Sequence, residues 1–294
     1  MDAADLRIFE AVARLGGMNR AAAELNTVQS NVTARVRALE EDLAATLFER
    51  HSRGVALTAA GRRLLPYAGR VAQLLGEARR AVRDDGEPLG PLHIGSLETT
   101  AAVRLSPLLA VYAATYPAVD FVLRTGTSAE LVEEVLQRRL EGAFVCGPVN
   151  HPDLREETIF REELAVVSAP TRHGLDALLG ARDVRILVLR AGCSYRQRLE
   201  EILARRGVVG IRRLEFGTIE AIMGCCAAGL GVTLLPKSVM GTACRDHAVA
   251  THDLPAAEAW VETQFIRCRD TFQSSALDAF LALLGSQILA RAAE

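Results

Sequence analysis

The chain has 294 residues, half of them apolar and 24 % charged, with a formal net charge of −2. That composition suits two or three globular domains with real cores, and the net charge by itself does not advertise nucleic-acid binding. Asp2 and Asp5 stand where a basic leader would begin, no apolar leader core follows, and the longest uncharged run, Ala221 to Pro236, is broken by glycines and shorter than the ~20 residues a spanning helix needs; a cytoplasmic protein with no membrane partner is expected.

The first 65 residues read as helices. Leu6, Ile8, Phe9, Val12 and Leu15 have helical spacing and end at Gly16–Gly17. Asn19 is placed to cap a short second helix over "RAAAEL", and "LNT" makes a tight connection to a third helix starting near Thr27. At about 100° per residue, Val28, Val32, Val36, Leu39 and Leu43 fall in one narrow stripe. This predicts a helix with one core face and a polar remainder beginning at its N-terminus. Two short extended runs around Arg50–Gly54 follow, then a helix from about Ala59 to Arg83 whose stripe of Leu64, Leu65, Ala68, Val71, Ala72, Leu75 and Ala78 calls for a partner, a second copy of itself being one. Between Arg14 and Arg70 nine arginines face five acids, a modest local excess of positive charge.

"DDGEPLGPL" reads as a linker. Beyond it, strand-like runs ("LHIG", "VDFVLRTG", "GAFVCG", "LAVVSA", "ILVLR", "RLEFG", "GVTLLP", "VETQFIRC") alternate with helical segments near 99–115, 129–139, 195–206, 218–228 and 275–289. Such βαβ alternation predicts a mainly parallel, helix-covered sheet. The six cysteines show no CxxC and no zinc spacing, so no metal site is expected. Cys193 stands at a helix start, where a thiol pKa can fall; a redox sensor is one reading, a small residue at a tight turn the plainer one.

A short helix, tight turn, polar-nosed helix and small wing make the winged helix-turn-helix pattern. The sequence also resembles the LysR-type transcriptional regulators. "RAAAEL", "RVRALEEDL", "LFER" and "LTAAG" match that family's N-terminal domain; "PLHIGS", "EELAVVSAP", "GCSYRQRLEEILARRGV" and "IEAIMGCCAAGLGVTLLP" match its effector domain. The resemblance implies an α/β chain: a winged helix-turn-helix domain (1–58), a linker or dimerisation helix (59–84), a hinge linker (85–91), and a two-lobed effector domain similar to periplasmic binding proteins (92–294). Lobe one would comprise 92–161 and 267–294, lobe two 162–266, with crossings near Arg161–Glu163 and Ile266–Cys268. It further implies double-stranded DNA and a small-molecule co-inducer as partners, self-association as a homodimer or homotetramer, and no further cofactor. Where the family commonly reads "SQPALSRQIRALE", this chain has "VQSNVTARVRALE": Ser30 replaces Pro, Thr33 replaces Ser and Ala34 replaces Arg.

A recognition helix points its N-terminal residues at base edges in the major groove. Gln29, Ser30, Asn31 and Thr33 are therefore the candidates for base or groove contact, and Arg35, Arg37, Arg50 and Arg53 for phosphates or the minor groove. In open α/β sheets ligands bind beyond the carboxyl ends of strands. That selects Ser96, Glu98, Thr99, Thr100, Thr125, Ser128, Pro148, Ser194, Tyr195 and Thr218 as effector candidates. Helix N-termini there favour an anion, whereas Glu98 favours a cationic group unless an arginine within the protein pairs with it. An α/β enzyme on the same fold is the competing class. Against it, GxSxG, P-loop, GxGxxG and metal-ligand patterns are all missing and no catalytic residue is expected.

Overall fold

In the computed structural model the structure describes residues 1–51, 54–171, 183–243 and 248–292. The chain divides into two compact units, Met1–Asp84 with Gln137–Arg139 and Asp85–Leu136 with Leu140–Glu294, and each is built on its own core.

The first unit opens with α1 (Ala3–Leu15), started by a reciprocal capping box between Asp2 and Asp5 and stopped by Gly16 in the left-handed region (φ 66°). Its Leu6, Phe9 and Val12 pack with Ala21 and Ala22 of α2 (Met18–Glu24) and with Val32, Val36 and Leu39 of α3 (Gln29–Asp42). The wing is an antiparallel pair, β1 (Phe48–His51) and β2 (Gly54–Leu57), with Arg50 opposite Val55. Two contacts seat it: the Val55 N–H donates to the Gly16 carbonyl at 3.2 Å, and Glu40 Oε1 accepts from the Leu47 and Phe48 N–H groups at 2.6 and 3.2 Å. The helix α4 (Ala59–Arg83) follows, capped by Thr58 Oγ1 accepting from the Gly61 N–H at 3.0 Å.

Three sequence expectations change here. The second helix is capped by Gly17 with no side-chain bond, and Asn19 lies inside it rather than at its cap. The third helix starts at Gln29, not near Thr27, and Val28 is its N-cap, 64 % exposed rather than part of the core stripe. The α4 stripe divides: Leu64, Leu65, Ala68 and Val71 pack on the unit's own core, while its Leu75 is exposed, as are Leu74 and Val82 outside the stripe.

The second unit holds a seven-stranded sheet in the order β10-β6-β11-β5-β3-β4, with β9 also paired to β6. Strands β3 (Gly90–Ser96), β4 (Val119–Thr125) and β5 (Gly142–Cys146) are parallel, with β3 central, but the pairings of β5 with β11, β11 with β6, and β6 with β9 and β10 are antiparallel, so the sheet is mixed and not the mainly parallel one expected. Helices supply the crossovers: α5 (Glu98–Thr100) continues through a π-helical turn (Ala101–Leu105) into α6 (Ser106–Thr115), and α7 (Ser128–Leu136) joins β4 to β5. A second, two-stranded parallel sheet pairs β7 (Asp183–Leu189) with β8 (Gly210–Phe216), and α8 (Ser194–Arg205) and α9 (Ile219–Ala227) flank it. A bridge from Ile186 to Val232, just before β9 (Thr233–Pro236), ties the two sheets together.

Two long antiparallel strands, β6 (Leu154–Ser168) and β11 (Trp260–Cys268), run through both lobes. On β6, Leu154, Ile159 and Phe160 pack in the cores of lobe one and Leu164 in that of lobe two, so its crossing lies near Arg161–Glu163. On β11, Val261 belongs to the lobe-two core, but Phe265, Ile266 and Cys268 belong to lobe one. The second crossing therefore falls at the Thr263/Gln264 register shift, ahead of the expected Ile266–Cys268. α10 (Lys237–Ala243), β10 (Ala250–Asp253) and α11 (Ala256–Ala259) go beyond the sequence reading; α12 (Ser275–Ala292) closes lobe one. Among the described residues no helix is long and apolar enough to cross a membrane.

Candidate functional site

The nose of α3 is the polar site of the first unit. Val28 caps the helix through its backbone alone, with no side-chain bond to a helix amide. Asn31 Nδ2 donates to Thr27 Oγ1 at 3.0 Å, which ties the first turn to the preceding connection. Gln29, Ser30, Asn31 and Arg37 are exposed. Thr33 is not presented in the same way: its Oγ1 is enclosed and lacks a hydrogen-bond partner. Arg35 is ion-paired to Asp5 at 3.0 Å and to Asp2 at 3.3 Å, so its charge already serves the start of α1. A phosphate role for Arg35 would compete with those two carboxylates. Arg50 lies on β1, and only its backbone is described; Arg53 lies outside the described residues.

The second unit carries a cavity of about 470 Å³ between its lobes. Of the ten effector candidates, Glu98, Thr99, Thr125, Ser194 and Tyr195 line it. The other five serve the walls. Ser96 is buried and donates to the Leu97 carbonyl at 2.9 Å. Thr100 is buried with its hydroxyl unpartnered. Ser128 accepts from the Cys146 N–H and from Ser194 Oγ, at 3.1 and 2.9 Å. Thr218 caps α9, and Pro148 is exposed after a cis peptide bond. Arg190, Glu215, Leu189 and Phe216 line the cavity too. They sit at the carboxyl ends of β7 and β8, and that position, not residue type, is the signal that finds them.

Four polar contacts join the lobes across the cavity. Glu98 Oε1 accepts from the Ile219 N–H at the start of α9, at 3.2 Å. Thr99 Oγ1 and the Tyr195 hydroxyl lie 3.4 Å apart, Ser194 bonds to Ser128, and Arg190 pairs with Glu130 at 3.0 Å. Glu130 is held below the usual carboxylate range, first by the Thr127 N–H and also by Thr127 Oγ1 and Arg190. Burial pushes the Tyr195 phenol well above 10, so it stays protonated and able to donate. The expected choice for Glu98, a cationic ligand or an internal arginine, is met by a third partner: a helix-terminal amide. Behind the cavity Glu162, at the β6 crossing, accepts from Arg104 of the π-helical turn at 3.3 Å and from Ser238 of α10 at 3.0 Å.

Cys193 precedes α8, and the N–H groups of Arg196 and Tyr195 do lower its thiol pKa, but burial outweighs them and raises it. Burial pushes Cys146 up to about 11. Both are free cysteines. A redox sensor needs an accessible, low-pKa thiolate, and Cys193 supplies the opposite environment.

Residues 3–62 match the bacterial regulatory helix-turn-helix protein model of the lysR family, and residues 85–288 match the LysR substrate binding domain. The chain is a LysR-family transcriptional regulator. It is similar to the HTH-type transcriptional regulator GltR of Bacillus subtilis (strain 168), 42 % identical over 276 residues that cover 94 % of this chain and 93 % of that one. It is also similar to the HTH-type transcriptional regulator SoxR of an Arthrobacter species, 38 % identical over 281 residues, 96 % of each chain. Its backbone is similar to that of full-length CbnR in complex with its target DNA, with a TM-score of 0.68, 26 % identity, and 97 % and 99 % of the two chains covered. The relatives are named as regulators rather than enzymes, and the α/β enzyme reading is set aside. In this LysR-family chain the first unit is the DNA-binding part and the second the substrate-binding part.

Proposed function

We propose that this regulator binds its operator through the nose of α3 and is controlled by a small molecule that carries a protonated amine and occupies the cavity between the lobes. The observation that carries the choice of ligand is Glu98. Three wall residues are charged. Arg190 is paired with Glu130, and Glu215 with Arg196 at 2.9 Å. Glu98 makes no ion pair with any described residue; its carboxylate meets only the Ile219 amide. A carboxylate on an enclosed wall without a counter-charge selects a cation, because desolvating it unpaired is costly. The hydroxyls of Thr99, Thr125 and Ser194 and the apolar Leu97, Leu189 and Phe216 complete a site for an amine of moderate size. The regulator works as a homodimer or homotetramer in the cytoplasm, where its DNA is; Leu74, Leu75 and Val82 on α4 support the self-association.

Thermal shift of the full chain tests the ligand class. The probes are amino acids, the amines made by removing their carboxyl groups, and the acids made by removing their amino groups. An amine-bearing probe at a hundred times its Kd adds about 2.7 kcal/mol, a rise of several degrees in Tm. Glu98→Gln is expected to abolish that rise. Stabilisation by acids lacking an amine, unchanged in Glu98→Gln, overturns the reading.

A further inference from the structure

Val28 has no structural task that its side chain performs. The N-cap position favours Ser, Thr, Asp or Asn, whose oxygen accepts from a helix amide, and an apolar β-branched residue is among the poorest choices there. Val28 makes no such bond. Nor does it join the core: Val32 and Val36 are buried on the same helix, while Val28 is 64 % exposed. Its sequence neighbours Gln29, Ser30 and Asn31 are exposed as well. An isopropyl group thus sits in water at the tip of the helix, in one patch with the exposed side chains proposed to read the operator. The one apolar feature on a major-groove base edge is the C5-methyl of thymine.

We propose that Val28 is a specificity-determining residue that reads a thymine methyl in each half-site of the operator. The proposal rests on α3 being the recognition helix. It assigns the valine to the DNA rather than to the core, and it explains why a poor cap is kept: the side chain that would cap the helix is exchanged for one that contacts a base. The polar neighbours and Val28 then divide the work, Gln29 pairing with a base edge and Val28 covering the adjoining methyl.

The test uses the full chain and a duplex selected by it from a randomised library. Each thymine in the selected sequence is replaced in turn by uracil, which keeps every hydrogen-bonding group and lacks only the methyl. Loss of one buried methyl contact corresponds to about a fourfold weaker Kd per half-site. For the native chain one thymine per half-site is expected to show that loss, and Val28→Ser, which restores a favoured cap, is expected to bind the thymine and uracil duplexes alike. Gln29→Ala is measured alongside. If Gln29→Ala loses the selected duplex but the uracil scan is flat, or is the same for the native chain and Val28→Ser, Val28 is not a base reader and only this proposal fails. If Gln29→Ala keeps its full preference for the selected duplex over random DNA, the helix is not the reader and the underlying assignment falls with it.

Discussion

Gly61 sits in the first turn of α4, where the chain passes closest to the wing. A Cβ built there overlaps the Leu47 carbonyl oxygen and crowds Leu57 Cδ2 at 2.8 Å. The glycine of "LTAAG" is therefore a packing requirement, since the clash is with backbone that the Glu40 carboxylate already fixes. Gly61→Ala is expected to destabilise the first unit by about 1–3 kcal/mol through overpacking, although alanine is the better helix former. Gly69 in the same helix has open space around its Cβ position, so Gly69→Ala should be neutral or stabilising by up to about 1 kcal/mol. Thermal unfolding of the two variants side by side checks this, and the reverse order would remove the close-approach explanation. At this scale the sequence is legible where a residue's type matches its task, as at Thr58, which caps α4. It misleads where an apolar residue continues a periodic stripe beyond the end of its helix. Val28 is such a case, because a wheel records angle and not whether another element lies opposite. Glu98 is another: its partner is a backbone amide 121 residues away, and backbone amides leave no mark in residue types.

Elements that bury one face on a core are readable by period, and α1, α3 and the parallel strands follow it. β6 is readable only in part. Its lobe-two half, "LAVVS", is buried, but "LREETIFREE" mixes charge with apolar residues because there the strand pairs only with β11 and its other edge meets no described strand. Charge on an edge strand guards against pairing with other chains, and it also hides the strand from a hydrophobicity reading. The helix α4 raises a different issue. Its first half serves its own domain, and Leu74, Leu75 and Val82 remain exposed at 52 %, 42 % and 89 %. A second copy of α4 is the partner expected for them, burying each leucine for about 1.5–3 kcal/mol. Leu74→Glu with Leu75→Glu should weaken self-association by more than about a hundredfold, read as a fall from dimer mass to monomer mass in light scattering. Retained dimer mass would move the interface elsewhere.

For the whole molecule, the second unit is closed by contacts that a ligand must negotiate. Glu98 to Ile219, Thr99 to Tyr195, Ser128 to Ser194 and Glu130 to Arg190 each pair one lobe with the other, and each uses at least one residue that lines the cavity, Thr99 and Tyr195 both doing so. An amine beside Glu98 changes the balance of these contacts, and the lobes can respond because, among the described residues, only β6 and β11 run continuously through both. Thermodynamics then constrains the regulator whatever the path of the signal: if the amine changes the Kd for DNA by a factor α, DNA changes the Kd for the amine by the same α. Couplings of this kind run from about 5-fold to 150-fold. Titrating the amine with and without saturating operator, and the operator with and without saturating amine, should return one value of α. Glu98→Gln should leave DNA affinity in the absence of amine unchanged, since the amide oxygen can still accept from the Ile219 N–H, and bring α to one. A Glu98→Gln chain that still binds the amine with full coupling would place the sensing contact on the opposite wall, at Glu215 or the Tyr195 hydroxyl. Unequal factors in the two titrations would mean that a third species, such as a change in assembly state through α4, takes part in the equilibrium.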